Sequence, residues 1–413
     1  MIMKNNKALI IGFLVVIMGL VSCEDDFLDR SLRNKRTYDQ IVSQGYGPLA
    51  NNGMAAYSYL REFSDYPQNA LLAAACDEAD MANKAAQMQI FNTGGWNQFQ
   101  NPDEVMAWYY RGIVQTYKFI ENSEDYKDIL AIDTFNINTK EAYLRECDQM
   151  FKLRAENRVL RAFFYFELIK RYGGVPILDG PLDVDTDVLP SRNSFDEVVE
   201  YILDELDAAY PDIIDHWLNY DIPDGVNSTI GSGRGNVDGS TNVSNLGRIE
   251  KPFVKALKLR VLLYAASSLH NPNGDVSKWE EAAAAGHDFL MDPEMDAWKT
   301  LYSNYEELFT MKNQSLLTSR FGTNSGIIFT VPQVRGGFNS TIWEEWNYPP
   351  GITNGAKNVC APSQNLVDAY EMQATGLPIG EDGSGYEADD PYEGRDPRLK
   401  MTVAVNGEVF GKG

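Results

Sequence analysis

Residues 158–177 read RVLRAFFYFELIKRYGGVPI, and this stretch carries the strongest structural information in the chain. Its first twelve residues are mostly large and apolar, as is typical of a helix buried on most of its sides. The glycines Gly173 and Gly174 permit the left-handed backbone conformation that ends many helices. Pro176 prevents the helix from resuming, because proline lacks the backbone N–H and clashes with the preceding turn. The stretch therefore predicts a buried helix with a defined end, and we interpret its glycines and proline as architecture.

The tripeptide Arg-Val-Leu at 158–160 recurs at 260–262, in a second apolar stretch that reads RVLLYAASSL. The offset of 102 residues is three times the period of tetratricopeptide units, which is roughly 34 residues. In such repeats each helix pair buries its apolar face against its neighbours. The sequence therefore predicts a mostly α, tetratricopeptide-like helical-repeat scaffold over residues 43–300, built from antiparallel helix pairs.

Local signals mark where several of these helices begin. The sequence Asn-Pro-Asp-Glu from Asn101 combines an N-cap, a proline at the first helical position and acidic residues for the first turn. Ser194 and Ser277 each stand three residues before a glutamate, the pattern of a capping box. Pro252 is expected to open a helix over residues 253–269. The side chains predicted to be buried between helices are Phe163, Phe166, Leu168, Val261, Leu262 and Tyr264.

From residue 301 the composition changes. Residues 327–331 read IIFTV, which predicts a short β-strand, and Pro332 ends the run. Loops rich in glycine, proline and asparagine follow, and a loop tract of that length in a compact protein is usually functional. We therefore predict that residues 301–413 form a loop-rich ligand-binding subdomain with a few short strands. Residues 215–250 contain a Gly/Ser/Asn-rich insert that we expect to be an exposed loop.

The N-terminus has the features of a secretory signal. Two lysines precede an unbroken apolar run over residues 8–20, and thirteen helical residues span only about 20 Å, too short for a hydrocarbon core of roughly 30 Å. The tetrad Leu-Val-Ser-Cys that ends at Cys23 resembles the lipobox of bacterial lipoproteins, whose cysteine is lipidated after cleavage. Residues 1–22 are thus predicted to be a lipoprotein signal peptide and residues 23–42 a lipidated tether. The acidic residues after Cys23 resemble the surface-export signal of Bacteroidetes lipoproteins.

Charge and cysteine content exclude several classes of function. The formal net charge is −23, from 36 basic and 59 acidic residues, and such a surface repels nucleic acid and anionic lipid headgroups. We therefore predict no nucleic-acid partner, and membrane attachment through the lipid anchor. Beyond Cys23 there are Cys76, Cys147 and Cys360, an odd number without metal-binding spacing, which we expect to be small buried residues.

Seven blocks of the sequence together resemble the SusD/RagB family of nutrient-binding outer-membrane lipoproteins. They occur in the family's order over nearly the whole chain, and residues 158–177 are the most specific of them. The others are CEDDFLD (23–29), ACDEAD (75–80), KPFVKALKLRVLLYAA (251–266), NYEELF (304–309), PSQNLVDAYEM (362–372) and YEGRDPRL (392–399).

This resemblance implies a fold, a partner and a location. Members of the family have a tetratricopeptide-like scaffold with a loop-rich ligand face, and they act as a lid on a SusC-like TonB-dependent transporter. They capture oligosaccharides, or in some branches peptides, at the outer membrane, which implies a lipid-anchored protein facing the cell exterior. Family members usually continue well past the RDPRL segment, whereas this chain stops at Gly413, so we expect the sequence to be truncated and the subdomain to be incomplete.

Aromatic residues beside amides identify the candidate ligand site. Sugar rings have apolar C–H faces that stack on aromatic side chains, while their hydroxyl groups need amide or charged partners. The glycine-rich loop at 93–98 combines an indole with two amides, close after the block at 75–80, where starch-binding relatives also carry a stacking tryptophan. The alternative is that these rings pack the loops onto the scaffold. The predicted ligand-binding residues are Trp96, Asn97 and Gln98 on the first platform and Trp343, Trp346 and Tyr348 on the second.

Other chemistry finds little support in the sequence, and we predict no cofactor, no metal site and no enzymatic activity. Residues 183–187 mimic the start of a calcium loop, but Val188 replaces the required glycine and Ser194 the bidentate glutamate. His216, His270 and His287 lack metal-binding spacing. Two alternatives to glycan capture remain open: the same lid could bind a peptide or another nutrient, or a carboxylate pair could make the chain a surface glycoside hydrolase.

Overall fold

The computed structural model describes residues 45–60, 72–82, 86–133, 137–181, 190–215, 217, 247–306, 326–331 and 360–405. Several sequence predictions lie outside these residues: the signal peptide and lipidated Cys23, the second aromatic platform (Trp343, Trp346 and Tyr348), the run at 183–187, and His216.

The described chain is mostly helical, as the sequence predicts. The α-helices are α1 (Tyr46–Met54), α2 (Gln89–Asn92), α3 (Met106–Asn122), α4 (Tyr126–Ile132), α5 (Lys140–Tyr172), α6 (Phe195–Ala209), α7 (Lys251–Ala266), α8 (Val276–Met291), α9 (Asp296–Lys299), α10 (Gln364–Ala369) and α11 (Arg398–Thr402). Short 3-10 turns cover Ala55–Tyr59, Leu72–Ala75, Tyr210–Asp212 and Pro293–Met295. The two strands, β1 (Ala79–Met81) and β2 (Cys360–Pro362), pair antiparallel with Asp80 opposite Ala361.

The 33-residue helix α5 is the centre of the scaffold. Helix α3 packs on one part of it and α6 on another, α7 follows on α6, and α8 packs on α7. The largest fully buried side chains of the core include Tyr109, Phe164, Tyr165 and Phe166. Tyr109 stacks on Phe164, and Phe166 meets Tyr264 edge to face. Burying side chains of this size is a large favourable contribution to the stability of the fold.

Most predicted helix ends are confirmed. Helix α5 ends at Gly173 in the left-handed region (φ 67°), and Ser194 and Glu197 form both hydrogen bonds of a capping box before α6. Pro252 lies in the first turn of α7, which ends at Ala266 rather than at residue 269.

Two predicted helix starts are wrong. The amide of Asn101 accepts the Asp103 N–H in a local turn, but no helix follows that turn directly, and α3 starts only at Met106. At α8 the carboxylate of Asp275 accepts the N–H of Ser277, so Asp275 rather than Ser277 is the N-cap. Asparagine and aspartate favour such turns over helix interiors.

Three further predictions need correction. Tyr264 is 37% exposed and Phe163 is half-buried, whereas Phe166, Leu168, Val261 and Leu262 are buried as predicted. Cys76 is exposed and Cys147 half-buried, so that only Cys360 of the three cysteines is fully buried. Residues 327–331 lie against the core through Ile328 and Phe329 but form no strand. For Phe163 and Tyr264 the sequence pattern is right about apolar contact and wrong about how much of each side chain the neighbouring helices cover.

Candidate functional site

Trp96 lies in a loop between α2 and α3 that we call the Trp96 loop, residues 93–101. It begins with Gly94 in the left-handed region (φ 72°), and the N–H of Gly95 donates to the carbonyl of Ile90 (3.0 Å). Glycine adopts this conformation without the steric penalty of a Cβ atom. The end of α2 is therefore closed by backbone hydrogen bonds, and the loop departs from it in a defined direction.

A tight turn forms the tip of the Trp96 loop. The backbones of Asn97 and Gln100 exchange two hydrogen bonds (3.2 and 3.1 Å), with Gln98 and Phe99 between them. The side chain of Asn97 donates to the Gly95 carbonyl (2.9 Å) and accepts from the Phe99 N–H (2.9 Å). Asn97 thus fixes the turn, while the Gln98 side chain is exposed at its tip.

Two aromatic rings of this loop face solvent. Trp96 is 60% exposed, and its indole Nε1–H donates to the Asn101 amide oxygen (3.1 Å). The Phe91 ring lies 5.4 Å from the indole, tilted by 59°. Phe99 is 87% exposed, so almost its whole ring is in water. A fixed indole, an exposed phenyl ring and amide groups in one loop can stack on an apolar ligand face and hydrogen-bond to its polar edge.

The C-terminal end of the loop is anchored to the last turn of α5. The Arg171 guanidinium pairs with Asp103 (Nε–Oδ2 2.5 Å), and the Tyr172 hydroxyl donates to Glu104 (3.0 Å) while accepting the Val105 N–H (2.9 Å). Burial raises the pKa of the Tyr172 hydroxyl, and its hydrogen bond to Glu104 raises it further. The segment that ends the long helix therefore also positions the candidate site.

Side-chain hydrogen bonds join helix α2 to β1 and to the 3-10 turn that precedes β1. The Gln89 side chain donates to Asp80 (2.6 Å) and to the Met81 carbonyl (3.0 Å), and Asn92 donates to the Ala74 carbonyl (2.9 Å). A small core under these contacts contains Ala74, Ala79, Met81, Ala86, Met88 and Cys360.

The β1–β2 pair joins two distant sequence blocks, those at 75–80 and 362–372. The N–H of Ser363 donates to the Glu78 carbonyl (2.9 Å), and its hydroxyl donates to the Asp77 carbonyl. The start of the chain's C-terminal part thereby supports the platform that carries Trp96.

Sequence reasoning missed two residues of this site. Phe99 stands in the same loop as Trp96, and aromatic content alone could have identified it. The sequence around Asn101 does not indicate that its side chain holds the indole, because the Asn-Pro-Asp-Glu motif resembles a helix N-cap. The predicted residues Trp96, Asn97 and Gln98 lie together, and their contact with a ligand stays a prediction.

Metal-binding clusters and membrane-spanning helices are both absent from the residues that the structure describes. Across those ranges, no group of three histidine, cysteine, aspartate or glutamate side chains could hold a metal ion. Within the same part of the chain, no helix is long and apolar enough to cross a membrane.

Comparison with known proteins gives structural matches only. No protein-family profile matches the chain, and no curated protein sequence does. Among solved structures, a SusD-like protein from Bacteroides fragilis aligns with a TM-score of 0.58 at 22% identity and covers 89% of this chain. A SusD-like carbohydrate-binding protein from the same organism aligns with a TM-score of 0.57 at 18% identity and covers 91%.

This chain spans 62% of the length of each of these two proteins. The alignments cover about nine-tenths of this chain. They confirm the fold that the sequence blocks imply: the chain has the mostly helical, tetratricopeptide-like fold of the SusD-like proteins.

Proposed function

We propose that this chain is a member of the SusD/RagB family that captures oligosaccharides with the Trp96 loop and passes them to a SusC-like TonB-dependent transporter. In this proposal the mature protein is anchored to the outer membrane through lipidated Cys23 and faces the cell exterior. It binds its ligand without chemical change. Residues 43–300 are the scaffold, and residues 301–413 supply further ligand contacts.

The observation that carries the proposal is the Trp96 loop on a SusD-like fold. One of the matching proteins is described as carbohydrate-binding. An indole that is 60% exposed and a phenyl ring that is 87% exposed are costly to leave in water, at about 25 cal/mol per Å² of apolar surface. Both rings are carried by backbone that is fixed by hydrogen bonds, so little conformational entropy is lost when a ligand stacks on them.

Sugar rings suit this surface chemically. Their C–H faces stack on indole and phenyl rings, and their hydroxyl groups can bond the Gln98 amide and the unused hydrogen-bonding capacity of Asn97. We propose that Trp343, Trp346 and Tyr348 form a second stacking platform for the same ligand. A peptide ligand would need backbone or charged partners in place of a stacking face.

Calorimetric titration with a panel of neutral oligosaccharides tests the proposal. Trp96→Ala and Phe99→Ala should each weaken binding by roughly 1–3 kcal/mol, taking base-on-aromatic stacking as the scale. The matched control is Trp279→Ala on α8, where another indole is 48% exposed, and it should bind like the wild type. Unchanged affinity in both loop variants, with a lowered melting temperature, would show that these rings only pack the loop.

Two further measurements separate the alternatives. A glycoside hydrolase would release reducing ends from polysaccharides that the protein binds, and we expect no such release. Labelling with a radioactive fatty acid should mark the wild-type protein and not Cys23→Ser. If the serine variant fractionates with the outer membrane as the wild type does, the lipid anchor at this residue is refuted.

A further inference from the structure

Arg260 of helix α7 is exposed and has no acidic partner among the described residues, although the chain carries 59 acidic residues. The other three cations of α7 each pair with a carboxylate: Lys251 with Asp215, Lys255 with Asp292 and Lys258 with Asp207. Arg260 also lies outside the last turn of α7, so the helix dipole does not explain its position. An arginine left without an acid in so acidic a chain calls for another partner.

Arg260 lies against the ring of Phe166, which is fully buried, together with a lysine and a tyrosine. The guanidinium carbon of Arg260 is 5.7 Å from the ring centroid, and the Nζ of Lys170 is 5.3 Å from it. The Tyr264 ring meets the Phe166 ring edge to face, with 5.2 Å between the centroids. We call these four residues the Phe166 cluster.

The packing of two helices brings the Phe166 cluster together. Phe166 and Lys170 stand one turn apart on α5, and Arg260 and Tyr264 stand one turn apart on α7, which contacts α5. Each helix therefore presents one cation and one aromatic ring to the other. Both cationic groups lie within 5.7 Å of the same ring centroid, so one small ligand can reach both.

The charges around the Phe166 cluster leave a positive excess. The carboxylate of Glu167 is shared by Lys170 (2.6 Å) and Arg171 (2.7 Å). Arg171 pairs in addition with Asp103 (2.5 Å). Two acids thus serve three cations, and the charge of Arg260 remains uncompensated among the described residues.

One more acid and one more base lie at this end of α5, and their charges offset each other. The carboxylate of Glu104 accepts the Met106 N–H (2.7 Å) and the Tyr172 hydroxyl (3.0 Å). The guanidinium of Arg192 donates to the Tyr172 carbonyl (3.3 Å). The positive excess at the Phe166 cluster therefore persists when these neighbours are included.

The unused donors of the Phe166 cluster suit a carboxylate on a sugar. The planar guanidinium of Arg260 can bind a carboxylate through two parallel hydrogen bonds, and the ammonium of Lys170 has donors beyond the one given to Glu167. Tyr264 is 37% exposed, and its hydroxyl has no partner within the described ranges. Its ring offers an apolar face to the C–H groups of a sugar, and its hydroxyl can bond a sugar hydroxyl.

We propose that the Phe166 cluster binds the carboxylate of an acidic glycan, with Arg260 and Lys170 on the carboxylate and Tyr264 on the sugar that carries it. None of these residues belongs to the Trp96 loop. The proposal rests on the proposed function only for the choice of a sugar as the carrier of the carboxylate. The positive excess and the distances to the Phe166 ring are independent of that choice.

The experiment compares an acidic oligosaccharide with its uncharged ester. Short oligogalacturonates and the same oligomers after methyl esterification are titrated calorimetrically at about 0.1 M salt, where charges more than about 10 Å away are largely screened. We expect the acid form to bind on the order of tenfold more tightly than the ester, because hydrogen bonds between ionised partners are stronger than those between neutral groups.

Variants of exposed residues locate the site. Arg260→Gln should weaken binding of the acid form on the order of tenfold and leave the ester unchanged. The matched control is Arg111→Gln on α3, an exposed arginine that likewise has no partner among the described residues, and it should bind like the wild type. Tyr264→Phe removes only a hydroxyl group and should weaken both forms about threefold. The melting temperatures of all three variants should stay close to that of the wild type.

The outcomes separate this inference from the function proposed above. Equal affinity for acid and ester, or equal losses in Arg260→Gln and Arg111→Gln, overturns the acidic-glycan site. If oligoglutamate binds as tightly as the oligogalacturonates and loses its affinity in Arg260→Gln, the site takes peptide carboxylates and the choice of a sugar is overturned. Neutral oligosaccharides with Trp96→Ala and Phe99→Ala test the Trp96 loop, so the failure of one site is distinguishable from the failure of the other.

Discussion

Replacing Arg248 with methionine should strongly destabilise the protein, because it leaves a buried carboxyl group without its cationic partner. The Arg248 side chain is 8% exposed and that of Glu156 is 1% exposed, and two hydrogen bonds of 2.5 and 3.1 Å join them. The guanidinium also donates to Gln149 (2.9 Å) and lies 3.7 Å from the Trp217 ring. Removing one partner of such a buried pair costs about 3–5 kcal/mol.

The cost should depend on pH in a defined direction. Burial raises the pKa of Glu156 above its ordinary value, although Arg248 lowers it through its charge and hydrogen bonds. Without Arg248 the pKa rises further, so the folded variant takes up a proton more readily than its unfolded chain does. The destabilisation should therefore be largest near pH 8 and diminish as the pH falls, by up to about 1.4 kcal/mol per pH unit.

Urea unfolding followed by circular dichroism measures these free energies, and a double variant supplies the control. Combining Arg248→Met with Glu156→Met removes both charges and leaves apolar groups of similar size, which proteins often tolerate. The Tyr57 hydroxyl loses its bond to Glu156 but still accepts the Ile249 N–H, so we expect the double variant within about 2 kcal/mol of the wild type. A cost below 1 kcal/mol for Arg248→Met at pH 8, or a double variant less stable than the single one, would refute the reasoning.

Three further predictions concern the scaffold. Phe166→Ala should cost about 3–5 kcal/mol in urea unfolding because the ring is fully buried, and a cost near zero would place it outside the core. Gly174→Ala should lower the melting temperature, since its Cβ would stand 2.0 Å from the Asn193 carbonyl oxygen; an unchanged melting temperature would contradict this contact. Burial raises the pKa of Glu205, but the hydrogen bonds and the charges of Arg158 and Arg161 lower it more, so that the pKa lies below its ordinary value. Glu205→Gln should therefore destabilise the protein at pH 7. The difference from wild type should begin to shrink as the pH falls below about 4.5, the ordinary carboxyl value, and vanish only once the pH is below the lowered pKa of the folded protein; a difference that is independent of pH would sink this assignment.

The sequence determined the class of fold and many of the helix ends. A capping box needs only two side chains three residues apart, and a glycine stop needs only the permissive backbone of one residue, so Ser194 and Gly173 act as predicted. The order of the seven blocks implied the SusD-like fold, and structural alignment confirms it. The aromatic and amide composition of the Trp96 loop also marked the candidate site.

Where two local options competed, the sequence could not decide between them. Asn101 can cap a helix or accept the indole N–H, and the second option becomes visible only when Trp96 is placed beside it across the turn. Asp275 stands two residues before Ser277, and its carboxylate accepts the backbone N–H of Ser277. The capping-box pattern considers only the serine and the glutamate, so it does not reveal this competing N-cap.

Tertiary structure alone decided exposure and the assembly of the site. Tyr264 has the helical spacing of a core residue, yet it is 37% exposed. The spacing determines on which face of the helix a side chain lies, but not how much of that face the neighbouring helix covers. The support of the Trp96 loop joins residues far apart in the chain, with Arg171 on Asp103 and Ser363 on Glu78. Such long-range pairs carry no periodic or local signal, since their geometry exists only once the helices have packed.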